Sequence, residues 1–295
     1  MVGPFFIQQN RKMIRLAIQA KGRLNEESME LLKESGIFVE PGKKKLLAKC
    51  GEFPMEILFL RDDDIPQAVS MGVADIGIVG LNEVEERSFS VDKVHNLTFG
   101  KCRLSLAIPK SENYTGIGYF QGKRIATSYP VLLERYFNKV GIKAEIHQIA
   151  GSVEIAPSVG LADAIFDIVS SGGTLITNGL KEVITVMDSQ AVLIATPNIE
   201  KGKSDILKQL LVRFEAVERS KGMKYLLMNL PLDKLEDATG MLPGMRSPTI
   251  LPLAQKGWCS VHVVVAEKQL WEKIEGLKSI GAEGILVLSL EKMMP

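Results

Sequence analysis

Cysteine is scarce in this sequence: Cys50, Cys102 and Cys259 stand far apart in 295 residues, odd in number and without any Cys-x-x-Cys pair. That argues against a disulfide framework or a thiolate zinc site and leaves them as small core residues. Histidine is equally scarce. His95, His147 and His262 lie in apolar or mixed strand-like text with no His-Glu-x-x-His or similar metal spacing, and they read as structural or surface residues. No charge of one sign dominates, since 36 Lys and Arg face 35 Asp and Glu for a formal net charge of +1. The chain therefore lacks the basic field that drives sequence-independent binding to nucleic acid, and any anion must be gripped locally. Long hydrophobic runs are missing too: stretches such as 57–60 and 263–266 fall far short of the roughly 20 residues a bilayer-spanning helix needs. Phe5, Phe6 and Ile7 precede Arg11 and Lys12, the reverse of a secretory signal. No membrane partner is expected, the cytosol is the expected compartment, and residues 1–12 read as an extension before the first domain.

What is present is core material. With 46% hydrophobic and 24% charged residues over 295 positions, the length suggests roughly two domains of about 150 residues each. Met13 opens a strand over 14–19, followed by Ala20-Lys21-Gly22-Arg23-Leu24. Asn25 then caps a helix with Glu26 and Glu27 in its first turn, where acids are favoured, and Gly36 closes it. Next come a Lys43-Lys44-Lys45 turn, a strand over 57–60, the charged corner Arg61-Asp62-Asp63-Asp64, and a helix with Pro66 in its first turn that stops at Gly72. Strands over 76–79, 104–108, 124–127, 144–149, 164–169 and 191–195 alternate with amphipathic helices in an α/β pattern. Gly72-Val73-Ala74-Asp75 before one strand is echoed by Gly160-Leu161-Ala162-Asp163 before another. The echo fits either an ordinary helix-to-strand turn or two similar lobes facing across a cleft, where ligands bind. After a long helix over 204–222 the order becomes strand 225–230, helix 233–241, strands 247–253 and 259–266, helix 267–280 and strand 285–290. This βαββαβ order is ferredoxin-like, and serves either as a dimerisation module or as a small-molecule sensor.

The strongest chemical signal is Asp167-Ile168-Val169-Ser170-Ser171-Gly172-Gly173-Thr174, where a strand ends near an acid and enters a hydroxyl-rich, glycine-rich turn that opens a helix near Thr174. Gly172 and Gly173 permit positive φ and close approach, successive N–H groups can converge on an anion, and the helix start adds partial positive charge. Ser170, Ser171 and Thr174 add hydroxyl donors. An acid there repels a lone phosphate but suits a ribose hydroxyl, or Mg²⁺ held by the same ligand, so the pattern suggests a sugar phosphate. A plain strand-to-helix turn uses similar residues. No Walker A or Gly-x-Gly-x-x-Gly spacing is present.

The stretch Glu154, Gly160, Ala162, Ile165, Asp167, Ser171-Gly172, Thr174-Leu175 resembles the signature of the ATP phosphoribosyltransferase family, the first enzyme of histidine biosynthesis, with every position met. The likeness runs from about Met13 to the C-terminus, through Lys21-Gly22-Arg23-Leu24, Arg61 to Pro66, Gly100 to Ala107, Arg124 to Pro130, Leu242-Pro243-Gly244 and Ser247-Pro248-Thr249-Ile250. One departure is Ala20, where many relatives carry proline, which alters the stiffness of the loop. The resemblance implies an α/β fold with a two-lobed, periplasmic-binding-protein-like catalytic part and a C-terminal ferredoxin-like regulatory domain, the mark of the long form. It implies lobe 1 over 13–100, completed by about 183–222, lobe 2 over 101–182, and a histidine-binding domain over 223–295. It also implies a reaction: N1 of the adenine of ATP attacks C1 of the ribose of phosphoribosyl pyrophosphate, releasing pyrophosphate, with Mg²⁺ required.

An unprotonated ring nitrogen needs no strong general base, so the lack of a Ser/His/Asp constellation is consistent with this chemistry. The task is positioning and charge management for two anionic substrates. Lys21 and Arg23 are the first candidates for gripping triphosphate or pyrophosphate, against the alternative of a solvated turn, and with Asp167 they form the expected catalytic set. Arg61 could reach the same cleft or pair with Asp62 or Asp64, and Arg103 is either a cleft cation or an edge charge. By resemblance, Asp167 with Ser170, Ser171, Gly172, Gly173 and Thr174 takes the ribose and 5-phosphate, and Glu154 approaches the ribose hydroxyls or the magnesium shell, unless it serves only a helix start. Tyr129 either stacks on a purine beside ATP or is a core tyrosine behind a cap. For feedback inhibition by histidine, Asn229, Ser247, Thr249 and the Gly281-Ala282 turn are the candidates. Relatives form dimers that assemble into hexamers. The competing reading is a non-catalytic two-lobed sensor of a phosphorylated metabolite; a regulatory subunit without activity is disfavoured by the intact signature.

Overall fold

The structure, a computed structural model, describes residues 13–40, 46–242 and 244–294. The expected extension over 1–12, the Lys43-Lys44-Lys45 turn and Pro243 lie outside those residues. Contacts divide the chain into two compact units, one running to Lys33 and from Ile37 to Lys208, the other comprising Glu34–Gly36 and Gln209 onward.

The first unit begins with β1 (Ile14–Gln19), α1 (Arg23–Glu34), β2 (Leu47–Lys49), β3 (Met55–Leu60), α2 (Ile65–Ser70), β4 (Ile76–Gly80), α3 (Leu81–Arg87) and β5 (Asp92–Asn96). It continues with β6 (Cys102–Pro109), β7 (Arg124–Thr127), α4 (Pro130–Val140), β8 (Glu145–Gln148), β9 (Ala164–Val169), α5 (Gly173–Thr177), β10 (Leu180–Ser189) and β11 (Ala191–Ala195). Two mixed sheets result, ordered β2-β3-β1-β4-β11-β5 and β10-β6-β9-β7-β8. Runs such as Ile76-Gly77-Ile78-Val79 and Ala191 to Ala195 are apolar on both faces because both faces are covered, and they are almost wholly buried. These two sheets are the two expected lobes.

The chain crosses between the lobes twice, at residues 97–101 and at Gln190, and the crossings pair with each other: Leu97 N donates to Ala191 O at 2.9 Å and Ala191 N to Phe99 O at 3.1 Å. Gly100 is required there, since its φ is +64° and a Cβ would sit 3.2 Å from that of Ala191. The second crossing differs from the sequence reading. β10, unforeseen, continues the second sheet to Ser189, so the return to lobe 1 falls after that residue and not near 183. Also unforeseen were α3 and β5. Asn25 is not the helix cap, because α1 already begins at Arg23; its amide instead donates to Gln19 O at 2.6 Å and ties helix to strand.

A second join lies between α3 and α4. Pro130 occupies the start of α4 and Tyr129 the cap position, with no side-chain cap of its own. Glu86 of α3 supplies it: its carboxylate accepts from Val131 N at 3.0 Å and Leu132 N at 2.8 Å, satisfying two orphan donors of a helix in the other lobe. Beside it Asn82, Glu83, Tyr129 and Ser189 are all buried and mutually hydrogen-bonded.

In the second unit α6 (Lys201–Ser220), which the division cuts after Lys208, leads to β12 (Met223–Pro231), α7 (Leu235–Met241), β13 (Thr249–Pro252), β14 (Trp258–Ala266), α8 (Glu267–Ser279) and β15 (Glu283–Ser289). The antiparallel sheet runs β13-β14-β12-β15, the ferredoxin-like order, with one face buried against α7 and α8 through Leu226, Met228, Val261, Val263, Leu270 and Leu277. No helix among the described residues is long and apolar enough to cross a membrane.

Replacing Glu86 with alanine removes the cap of α4 and strands two N–H groups, one on buried Leu132. We expect a loss of about 1–2 kcal/mol in urea denaturation, with Glu86→Gln, which keeps one acceptor, losing less.

Candidate active site

The carboxyl ends of β1, β3, β4 and β9 meet at a cleft inside the first unit. A cavity of about 300 Å³ there is lined by Gln19, Gly22, Arg23, Leu24, Glu27, Asp62, Gly80, Asn82, Glu83, Gly100, Lys101, Cys102, Ile168 and Ser170. Beside it lies a more polar cavity of about 360 Å³, reached by Arg61, Asp63, Arg87, Ser128 and residues 148–151, with Asp62 and Glu83 lining both.

The structure brings together the two features the sequence singled out. Arg23, at the start of α1 in lobe 1, donates from Nη1 to Ser170 Oγ at 3.2 Å, so the cationic loop touches the glycine-rich turn of lobe 2. The contact is exposed, and the same guanidinium lies 3.4 Å from Glu27. Lys21 is exposed and does not line the smaller cavity. Ser170, Ser171, Gly173 and Thr174 are exposed, and Gly172 is half-buried with φ +81°, a left-handed conformation that favours glycine. α5, which follows, has only five residues.

Asp167 is half-buried on β9, opposite Ser105 of β6, and its Oδ1 accepts from Ile168 N at 2.8 Å. Burial, with Glu154's charge added, pushes its carboxyl up to about 6 despite that hydrogen bond. Glu154 is thus close enough to be felt, from a short 3₁₀ turn, Val153–Ile155, and not from a true helix start.

Other candidates are placed differently. The Arg61 guanidinium is highly exposed and pairs with Asp63 at 3.3 Å, not with Asp62 or Asp64. Arg103 does come to the turn, but its guanidinium is engaged by both oxygens of Glu182, at 2.6 and 2.5 Å, and it donates to Ser170 O at 3.2 Å. Tyr129 takes the core alternative: only 7% exposed, it donates to Glu83 Oε1 at 2.8 Å and accepts from Asn82, and what surface it keeps lines the more polar cavity. Burial raises the Cys102 thiol, which leaves it a poor nucleophile, and pushes Cys50 up to about 12. Glu83, Asn82 and Glu182 were missed by sequence reading. No local signal marks the last, because the bulges of β10 break the alternation of Leu180 to Ser189.

Comparison with known proteins decides the family. The family model described as ATP phosphoribosyltransferase matches residues 61–216, and the one described as HisG, C-terminal domain, matches 220–292. The chain belongs to the ATP phosphoribosyltransferase family. It is 58% identical over 282 residues to the ATP phosphoribosyltransferase of Bacteroides fragilis and 57% to that of Bacteroides thetaiotaomicron, in each case over 96% of this chain and 100% of the relative. Among solved structures it is similar to the ATP phosphoribosyl transferase (HisG:HisZ) complex from Thermotoga maritima, with TM-score 0.59 and 30% identity over 69% of this chain and 99% of that one. The C-terminal module makes this the long form of the family, and the family's activity is that of a pentosyltransferase; the sensor alternative is not favoured.

In the second unit, Asn229 on β12 and Thr249 on β13 lie on the sheet face away from α7 and α8, in rows shared with Ser260 and His262. His262 is held there by Tyr225 Oη at 2.8 Å and Ser260 Oγ at 3.2 Å. Ser247 is exposed just before β13, while Ala282 is only 8% exposed and packs into the core, so its side chain is not presented.

The Asp167 shift has a sign. An ordinary carboxyl at 3.8 is raised to about 6 in the folded chain, so folding takes up a proton between those values and this group's contribution to stability falls as pH rises through that window. Asp167→Asn is therefore expected to stabilise the unliganded protein by roughly 1–3 kcal/mol near pH 8 and far less near pH 4.5, as read by urea denaturation at both.

Proposed function

We propose that the cleft of the first unit carries out the family's reaction, joining N1 of ATP adenine to C1 of the ribose of phosphoribosyl pyrophosphate with release of pyrophosphate. The observation that carries this reading is the Arg23–Ser170 contact, which sets a cation beside the glycine-rich turn. In this reading the N–H groups and hydroxyls over 170–174 hold the 5-phosphate. Ionised Asp167 accepts from a ribose hydroxyl, with Glu154 beside it. Arg23 forks onto the departing pyrophosphate, and Lys21 and Arg61 supply further positive charge to the triphosphate. No base is needed: the adenine nitrogen carries its own lone pair, and the protein contributes alignment and stabilisation of the negative charge building on the leaving group.

Mg²⁺ commonly takes one or two carboxylates and completes its shell with substrate phosphates and water. The raised Asp167 carboxyl beside Glu154 is such a pair in want of positive charge. Those two would hold the ion, and when bound it would neutralise pyrophosphate oxygens.

The C-terminal sheet face bearing Asn229, Thr249, Ser260 and His262 is proposed as the seat of histidine feedback, with Ser247 at its edge. The same face exposes Leu251, Leu286 and Leu288, which favours assembly of dimers into hexamers through it. A cytosolic enzyme is the matching compartment.

The test is pyrophosphate release from ATP, phosphoribosyl pyrophosphate and Mg²⁺, with pyrophosphatase present to pull the equilibrium. Turnover should need both substrates, fall about 100-fold or more in Arg23→Ala and Asp167→Ala, fall less in Lys21→Ala, and be suppressed by histidine. Binding of phosphoribosyl pyrophosphate without any pyrophosphate release would instead support the sensor.

A further inference from the structure

Ser170 opens the glycine-rich turn one residue beyond the last rung of the β6–β9 ladder, where Arg103 opposes Val169. Its carbonyl therefore has no ladder partner, and the Arg103 guanidinium takes that place at 3.2 Å. What aims Arg103 is Glu182 on β10. Glu182 grips the guanidinium with both oxygens and also accepts from Ser105 Oγ at 2.7 Å and Thr185 Oγ1 at 3.1 Å. Arg103's hydrogen bonds, working against partial burial, hold this carboxyl down to about 2.

The backbone is irregular where this arrangement needs it. β10 pairs with β6 through two bulges, between Glu182 and Ile184 and between Thr185 and Met187. Glu182, Thr185 and Asp188 consequently oppose Ala107, Ser105 and Arg103, a three-residue spacing matched to a two-residue one. In a regular strand Glu182 and Thr185 would point to opposite faces; the bulges turn both onto the face that carries Arg103 and, across β6, Asp167.

We propose that Glu182 is a positioning residue for the phosphoribosyl pyrophosphate turn: it fixes Arg103, and Arg103 fixes the Ser170 carbonyl from which the turn departs. In this role Arg103 serves the sugar-phosphate substrate through the backbone of the turn. The inference rests on the reading of residues 170–174 as the 5-phosphate site.

The test compares Glu182→Gln with wild type in steady-state kinetics for each substrate and in calorimetric binding of phosphoribosyl pyrophosphate with Mg²⁺ alone. Glutamine keeps the shape but loses the charge and one acceptor of the fork. We expect KM and Kd for phosphoribosyl pyrophosphate to rise about 10- to 100-fold, with KM for ATP within about twofold; the thermal midpoint should fall, because the charge that is lost stabilises the fold, so binding and kinetics are compared well below the midpoint of the variant. Arg103→Met should give the same selective rise and the double variant no further one, while Arg103→Lys, charged but unforked, should fall between. Unchanged phosphoribosyl pyrophosphate binding in Glu182→Gln overturns the proposal, as does a loss of kcat with both KM values intact, the pattern of a smaller folded fraction. Should wild type bind phosphoribosyl pyrophosphate yet release no pyrophosphate, the proposed reaction fails while the binding comparison still decides the role of Glu182.

Discussion

The cleft depends on how the chain is pinned where it passes between the two sheets. Leu97, Phe99 and Ala191 exchange backbone hydrogen bonds across the two crossings, and Gly100 lets them approach. With that pairing in place, the carboxyl ends of β1, β3 and β4 face the carboxyl end of β9, and the loops that follow those strands become the lining of one cavity. Ligand sites in α/β proteins gather at the carboxyl ends of strands for this reason: the loops there are free to carry chemistry while the sheets carry stability. Glu86 and the buried Asn82-Glu83-Tyr129-Ser189 network add a second junction from the helix side.

The electrostatics follow from a chain with almost no net charge. Cations are assigned locally: Arg23 to the mouth of the turn, Arg103 to its backbone, Arg61 and Arg87 to the acidic corner at Asp63. Carboxylates are placed as deliberately. Glu182 is paired and held low, whereas Asp167 lies half-buried and unpaired by any cation, with its proton held more tightly than usual. An acid with that imbalance gains from a ligand that brings hydroxyl donors or a cation, and a sugar pyrophosphate with its metal brings both.

Much of this could be read from the residues because the signals were local. Apolar runs such as 76–79 and 191–195 read directly as buried strands, and the turn over 170–174 declares itself by composition. The βαββαβ order of the tail came from periodicity alone, and the structure has it with strand ends shifted by a residue or two. What escaped was non-local. β10 carries charged and polar residues within its apolar text, and its two bulges break the alternation that marks a strand. Glu86 looks like a surface acid of a short helix until the start of α4, far along the chain, is brought beneath it. Tyr129 precedes a helix start in sequence, and only the arrival of Glu83 and Asn82 decides for burial.

The central claim is that the cationic loop of lobe 1 and the glycine-rich turn of lobe 2 act as one site. A double-mutant cycle of Arg23→Ala and Ser170→Ala on kcat/KM for phosphoribosyl pyrophosphate tests it most directly. If the two residues share a substrate, the double variant loses clearly less than the product of the single losses, with a coupling of about 1 kcal/mol or more. Fully multiplicative losses would mean that the two lobes contribute independently, and would contradict the account.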